Sequence, residues 1–311
     1  MRVVFLGTPL FATIPLRALI QDPRYEVVGV VTQPDRPTGR RRTVQPPPVK
    51  ELAVEHAIPV LQPETLRDAD AMEQLAAFQP DVGVVAAYGE ILRKRVLAIP
   101  PLGYINLHPS LLPLHRGPTP VIGAILSGAT ETGMTIMQLV SKMDAGPILT
   151  QERVRLSPDA RTEQLTNELF HLGSARLVDI LTSYAAGEVD LMPQDDSHAT
   201  YTHMLNRTDG LIDWNMPAVQ IERMIRAYDP WPSAYTSWSG QTLKIMEAHL
   251  VPDWVGNETP GTLFIDQKMI YVATGTGALQ LVEVQPSGKQ TMQADSWYRG
   301  LRNTTELHLG S

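Results

Sequence analysis

Along its first half the chain alternates short unbroken apolar runs with longer stretches in which apolar residues recur every three or four positions. RVVFLG (2–7), ended by Gly-Thr-Pro, has the pattern of a strand buried on both faces. ATIPLRALIQD follows at helical spacing, with Pro15 near the first turn, where its missing N–H costs little. YEVVGVVTQ (25–33) predicts a second buried strand, PPVKELAVEHA (47–57) a helix behind a proline start, and IPVLQP a short third strand. DADAMEQLAAFQP (68–80) predicts a helix stopped by Pro80, and DVGVVAAYG (81–89) a fourth strand. EILRKRVLAIP predicts another helix, and GYINLH a fifth strand. Such strand–helix alternation predicts an α/β fold: a doubly wound, mostly parallel, Rossmann-like sheet with helices on its faces.

The pattern then changes. GMTIMQLV (133–140) and TQERVRL, on either side of SKMDAGPIL, read as an antiparallel hairpin, and residues 161–187 carry one long helical period with Gly173 inside it. Residues 188–206 are polar and aperiodic and read as a linker. All five tryptophans (Trp214, Trp231, Trp238, Trp254 and Trp297) lie beyond it. There SAYTSWSGQTLKIMEAHLV, GTLFIDQKMIYVAT and GALQLVEVQP alternate in strand fashion around glycine-containing turns. That predicts an all-β unit of about five strands, a small OB-like barrel. The expected organisation is an α/β catalytic domain (1–187), a linker (188–206) and a C-terminal β-barrel domain (207–311).

Composition narrows the class. The chain has 311 residues, 43% hydrophobic and 19% charged, with net charge −7, ordinary for a globular protein and long enough for two domains. No run of about 18 apolar residues is present, so no membrane span or membrane partner is expected. MRVVFLGTP reads as a first strand and not a signal peptide, and the expected location is the cytoplasm. With no cysteine, disulfides, thiolate zinc sites and cysteine nucleophiles are excluded. The acidity argues mildly against a broad nucleic-acid surface. Yet RPTGRRRTVQPPPVK (36–50) holds five basic residues and no acid. Gly39 and Pro46 to Pro48 make it a long loop. Solvation is the commoner fate of a basic loop; the length and single sign of this one keep a polyanion contact in view.

INLHPSLLPLHRG (105–117) sets Asn106 and His108 two residues apart at the end of the fifth strand, so both side chains leave one face. In a doubly wound sheet the ligand crevice lies beyond the carboxyl ends of the strands. Asp144 sits in KMDAG. Singly, such a His is more often structural and DAG is a common turn. Jointly they suit oxyanion chemistry: a carboxylate raises the basicity of a His, and a neutral amide beside it binds the same oxygen without changing protonation. There is no G-x-S-x-G, which argues against an acyl-enzyme. FLGTPLFA is not G-x-G-x-x-G and no Walker loop occurs, so neither a dinucleotide nor an NTP is signalled. His56, His115, His171, His198, His203, His249 and His308 lack metal-ligand spacing, and no metal is expected.

INLHPSLLPLHRG with ETGMTIMQLVSKMDAGPIL resembles the 10-formyltetrahydrofolate-dependent formyltransferases, whose motif is Asn-x-His-x-Ser-Leu-Leu-Pro followed by an Asp in an Asp-x-Gly turn. VVFLGTPLFA, VVTQPDRPTGRRR, VVAAYGEIL, IDWNMPAVQIERMIRAYDPWPSA and a β domain with PGTL extend the resemblance over nearly the whole chain, toward members that act on a charged tRNA. The Asn/His/Asp motif is shared across the family; the basic loop and the IDW…IRA…PWP segment are more specific. The resemblance implies that the α-amine of initiator methionyl-tRNA attacks the formyl carbon of 10-formyltetrahydrofolate. Asn106 and His108 would stabilise the oxyanion, while Asp144 keeps His108 protonated and assists proton removal from the amine. It places the folate along Ser110, Leu111, Leu112 and Pro113 and against the turn Ala86, Ala87, Tyr88, Gly89 and Glu90. From the residues alone, Leu111 and Leu112 would simply anchor a loop. Arg36, Arg40, Arg41 and Arg42 would reach the tRNA acceptor end. A monomer is expected.

Two features depart from the family pattern. After Arg116 the chain reads GPTPV where small alanines are usual, and residues 207–311 carry 8 Lys/Arg against 11 Asp/Glu, so a tRNA contact there needs a local patch. A formyltransferase acting on an amino sugar nucleotide would share the triad but have no use for the Arg-rich loop. Hydrolysis of formyl-folate would release formate without an amine. A silent RNA-binding module would not need Asn106, His108 and Asp144 intact.

Overall fold

Val3, Val4, Phe5 and Leu6 are fully buried, as an apolar run covered on both faces must be. They lie in β1 (Arg2–Gly7), near the middle of a seven-stranded sheet, in a computed structural model that describes residues 1–38, 43–301 and 308–310. Its partners are β2 (Glu26–Val31), β5 (Val60–Leu61), β6 (Val82–Ala86), β7 (Tyr104–His108), β8 (Glu131–Gln138) and β9 (Ile148–Arg155), in the order β5-β2-β1-β6-β7-β8-β9. The five strands from β5 to β7 run parallel; β8 and β9 are antiparallel to their neighbours. The chain builds outward from β1 through β2 to β5, then returns to the other side of β1 with β6. That reversal puts a topological switch point at the carboxyl ends of β1 and β6. Two compact units are formed: residues 1–120, 131–156 and 165–203 make the first, and 121–130, 157–164 and 204–311 the second.

Connecting the strands are α1 (Thr13–Gln21), α2 (Pro48–Glu55), α3 (Ala69–Ala77), α4 (Lys94–Leu97), α5 (Pro120–Ser127) and α6 (Thr162–Ala185). α6 buries Leu165, Leu169, Phe170, Leu177 and Leu181 on one side. Gly173 lies on that side because a Cβ there would sit 2.6 Å from Met134 Cγ of β8. The second unit holds α7 (Ala218–Ala227) and α8 (Ala294–Arg299) with β10 (Tyr235–Trp238), β11 (Gln241–Leu250), β12 (Leu263–Asp266), β13 (Met269–Ala273), β14 (Ala278–Pro286) and β15 (Met292–Gln293). These strands form an antiparallel sheet, β10-β11-β14-β13-β12 with β15 on β14. It covers a core containing Trp214, Ile221, Ile225, Val272, Leu279 and Trp297.

Several sequence expectations change. The basic stretch is a hairpin along its described part: β3 (Arg36–Thr38) pairs antiparallel with β4 (Thr43–Gln45). The helix expected over EILRKRVLAIP shrinks to α4. Gly89 at φ 94° turns the chain, and Glu90 is occupied elsewhere: its carboxylate accepts from Thr65 Oγ1 at 2.6 Å and Leu66 N at 3.0 Å. Among the described residues the β unit has six strands, and α5, α7 and α8 add to the elements expected from the sequence. Residues 188–203 of the expected linker belong to the first unit, where Met192 exchanges main-chain bonds with Ile148. Among the described residues no helix is long and apolar enough to cross a membrane.

Candidate active site

Parallel pairing of β7 with β6 (Val85 opposite Asn106) and antiparallel pairing with β8 (Asn106 opposite Met137, His108 opposite Thr135) fixes which way the strand end faces. Asn106 and His108 share that face and are 8% and 4% exposed. The His108 ring is held at Nε2, which bonds the His115 carbonyl at 3.0 Å. A carbonyl only accepts, so this nitrogen carries the proton. Nδ1 faces Asp144 Oδ2 at 3.7 Å, an ion-pair distance too long for a hydrogen bond. Asp144 occupies the turn after β8 with φ 46°, a left-handed conformation that Asp adopts more readily than most residues. Its Oδ2 accepts from Gly117 N at 2.7 Å. Gly117, at φ 111°, is a glycine of necessity, since a Cβ would lie 2.6 Å from Thr202 O. Neither Asp144 Oδ1 nor the Asn106 amide has a hydrogen-bond partner among the described residues. Burial, and then charge on His108, hold the His115 imidazole below its ordinary value.

The segment after His108 is tied inward. Thr135 Oγ1 donates to Ser110 O at 2.6 Å and accepts from Leu112 N at 3.2 Å, while Gln151 Nε2 donates to Leu112 O and Thr135 Oγ1. Ser110 Oγ donates to Leu114 O. Leu112 packs on Met137, Leu139 and Ile148, and Leu111 fills the space beside Gly133. Pro113 follows a cis peptide. At the switch point Thr8 Oγ1 and Gln33 Nε2 donate to Tyr88 O, binding the ends of β1 and β2 to the turn after β6. The Tyr88 side chain joins the core with Val4, Leu6 and Tyr104, and its buried hydroxyl has no partner among the described residues. Ala86 is buried, and Ala87 and Gly89 have positive φ. The side chains of Tyr88 and Glu90 are thus both engaged within the protein itself.

A family profile described as "Formyl transferase" matches residues 1–181, and one described as "Formyl transferase, C-terminal domain" matches residues 204–302. The chain belongs to the formyl transferase family. A relative named methionyl-tRNA formyltransferase, from Roseiflexus sp. (strain RS-1), is 58% identical over 310 residues, covering 100% of this chain and 95% of that one. Among solved structures, an N-formyltransferase from Helicobacter canadensis in complex with folinic acid and dTDP-3-aminofucose aligns with TM-score 0.67 at 15% identity, over 93% of this chain and 99% of that one. HypX from Aquifex aeolicus in complex with tetrahydrofolic acid aligns with TM-score 0.62 at 17% identity, over 96% of this chain and 46% of that one. This formyl transferase thus spans about half the length of HypX.

Other residues of this formyl transferase lie apart from the strand end or were invisible to sequence reasoning. Arg36 is exposed and pairs with Glu64 at 2.9 Å; Arg40, Arg41 and Arg42 lie outside the described residues. The roots of the basic hairpin are braced by Asp35, which pairs with Lys50 at 2.8 Å and accepts from Gln62 Nε2 at 2.7 Å. Arg116 is fully buried. It pairs with Asp196 at 2.8 Å and donates from Nη1 to the Tyr201 hydroxyl at 3.3 Å, so the polar "linker" neutralises a charge beside the candidate site. Hydrogen bonds from Lys142 and then Arg116 hold the Asp196 carboxylate below its ordinary 3.8. A folded-state value below the unfolded one stabilises the fold above pH 3.8, and that contribution is lost as pH falls through the folded value. Asp196→Asn should therefore melt below the wild type at neutral pH, and the two melting curves should converge as the pH drops through the carboxylate range. A gap that stays constant with pH would contradict this.

Proposed function

We propose that this formyl transferase moves the formyl group of 10-formyltetrahydrofolate to the α-amine of initiator methionyl-tRNA, with Asn106, His108 and Asp144 as its catalytic residues. The observation that carries the reading is identity of 58% to a methionyl-tRNA formyltransferase along the entire chain. The site chemistry supports it. A free α-amine has a pKa of roughly 7.7 to 8.0, so a useful neutral fraction exists at neutral pH, and the work left to the enzyme is positioning and oxyanion stabilisation.

The amine nitrogen attacks the formyl carbon, forming the new C–N bond and driving the carbonyl electrons onto oxygen. The Asn106 amide and a proton on His108 Nδ1 meet that oxygen, while His115 O holds the ring by its other nitrogen and Asp144 compensates the positive ring. Asp144 Oδ1 takes the proton that the amine loses. Collapse breaks the bond to folate N10, which leaves with that proton. The folate would lie in the switch-point crevice, against the main chain of Ala86 to Gly89 and along Ser110 to Pro113. We read the C-terminal sheet as an OB-like barrel, the chain as a monomer, and its location as cytoplasmic.

The test is formyl transfer from 10-formyltetrahydrofolate to charged initiator tRNA, with elongator tRNA, free methionine and an amino sugar nucleotide as rival acceptors. Preference for the sugar, or formate release without any amine, would contradict the proposal. The sugar reading has behind it only fold-level likeness at 15% identity.

The basic hairpin supplies a second test. Replacing Arg40, Arg41 and Arg42 together with Ala should weaken tRNA use strongly, yet change stability by no more than about 0.5 kcal/mol, the usual scale for substitutions away from a core, cap or buried network. The salt dependence of tRNA binding should fall by up to about 0.9 for each phosphate the variant no longer neutralises, if duplex behaviour carries over to the acceptor stem. Wild-type tRNA kinetics at every salt concentration would reduce the stretch to a solvated connection.

A further inference from the structure

We propose that Gln194 is a positioning residue for Asp144: its amide, oriented by the buried Arg116, fixes the turn that aims the Asp144 carboxylate at His108. The inference rests on the role given to Asp144 above. A guanidinium has donors only. Arg116 Nε and Nη2 both donate to Gln194 Oε1, at 3.1 and 2.7 Å, so the oxygen of that amide faces the guanidinium and its nitrogen faces away. On the far side Gln194 Nε2 donates to Asp144 O at 2.9 Å and to Gly146 O at 2.7 Å. Reversing the amide would set hydrogens against a guanidinium and an oxygen against two carbonyls. One orientation satisfies every group.

The arrangement holds Asp144 from two directions. Gln194 clasps the main chain of the turn, on which Asp144 is held at φ 46°. Gly117 N–H donates to the carboxylate, and Gly117 is placed in turn by Arg116, whose N donates to Thr200 O and whose carbonyl accepts from Thr202 N. One short segment, Gln194 to Thr202, thus determines both where the turn lies and where its carboxylate points. Packing alone would not require an amide here, since Met would fill a similar volume. The polarity at both ends is what the geometry uses.

The experiment compares Gln194→Glu and Gln194→Met with the wild type, each also in an Asp144→Asn background. The readouts are single-turnover formyl transfer to charged initiator tRNA, KM for 10-formyltetrahydrofolate, and melting temperature. Glu keeps the bond to Arg116 but turns an oxygen on the two carbonyls; Met removes both interactions. Each should lower the transfer rate by about 10- to 100-fold, the scale of a 1 Å misplacement, with KM for the folate little changed. In the Asp144→Asn background the same substitutions should leave the residual rate unchanged, because no carboxylate remains to be aimed. Asp196→Asn, at the end of the network where the side chain is 57% exposed, probes the same path with Gln194 itself left in place, and its smaller loss should vanish in that background too. Wild-type rates in the Gln194 variants would overturn the inference. So would an equal loss with and without the Asp144 carboxylate, which is what a purely structural role gives. A wild-type rate in Asp144→Asn alone would remove the reading of Asp144, and the inference with it, so the two failures are told apart.

Discussion

Asp144→Asn should fold normally, bind folate as the wild type does, and lose at least about 100-fold in formyl transfer, within the 10² to 10⁴ typical of an acid–base group. Asparagine is the informative replacement for three reasons. It tolerates the left-handed φ of 46° at this position. Its side-chain oxygen can still accept the Gly117 N–H that Asp144 Oδ2 accepts at 2.7 Å. What it lacks is the negative charge facing the His108 ring at 3.7 Å and any capacity to take the amine proton. Unchanged melting with collapsed single-turnover rate is the expected pair of results; near-normal transfer would remove Asp144 from the mechanism.

The second large effect concerns Asn106 and His108. Asn106→Ala should cost about 10² to 10³, the usual loss for one oxyanion donor. His108→Ala should cost at least as much, since it removes both a donor and the ring that Asp144 serves. The two losses should not multiply. Both side chains leave the same face of β7 within two residues, and groups that act on one atom are grossly non-additive. The Asn106 amide, without a partner among the described residues, is available for that oxygen.

Much of this arrangement was legible in sequence because it is local. β1, β2, β6 and β7 announce themselves as unbroken apolar runs, and the i, i+2 spacing of Asn106 and His108 at a strand end puts both on one face. The hidden part is held together across long stretches of chain. Arg116 and Gln194 are 78 residues apart, Asp144 and Gln194 are 50 apart, and an aperiodic polar segment gives no sign of what it will touch. The only local hint was a single Arg among otherwise uncharged residues in LPLHRGPTP. Tyr88 shows the opposite failure: an aromatic in a glycine-containing turn looks available to a ligand, yet its ring completes the core. The 188–206 segment reads as a linker because it lacks periodicity, but hydrogen bonds to a buried guanidinium need none.

The most direct measurement is a double-mutant cycle on the strand end: single-turnover formation of formylmethionyl-tRNA by the wild type, Asn106→Ala, His108→Ala and the double variant, at saturating 10-formyltetrahydrofolate. If both side chains stabilise one oxyanion, the double variant should be no more than about tenfold slower than the slower single variant. A loss equal to the product of the two single losses would mean that they act on separate steps, and would contradict the account.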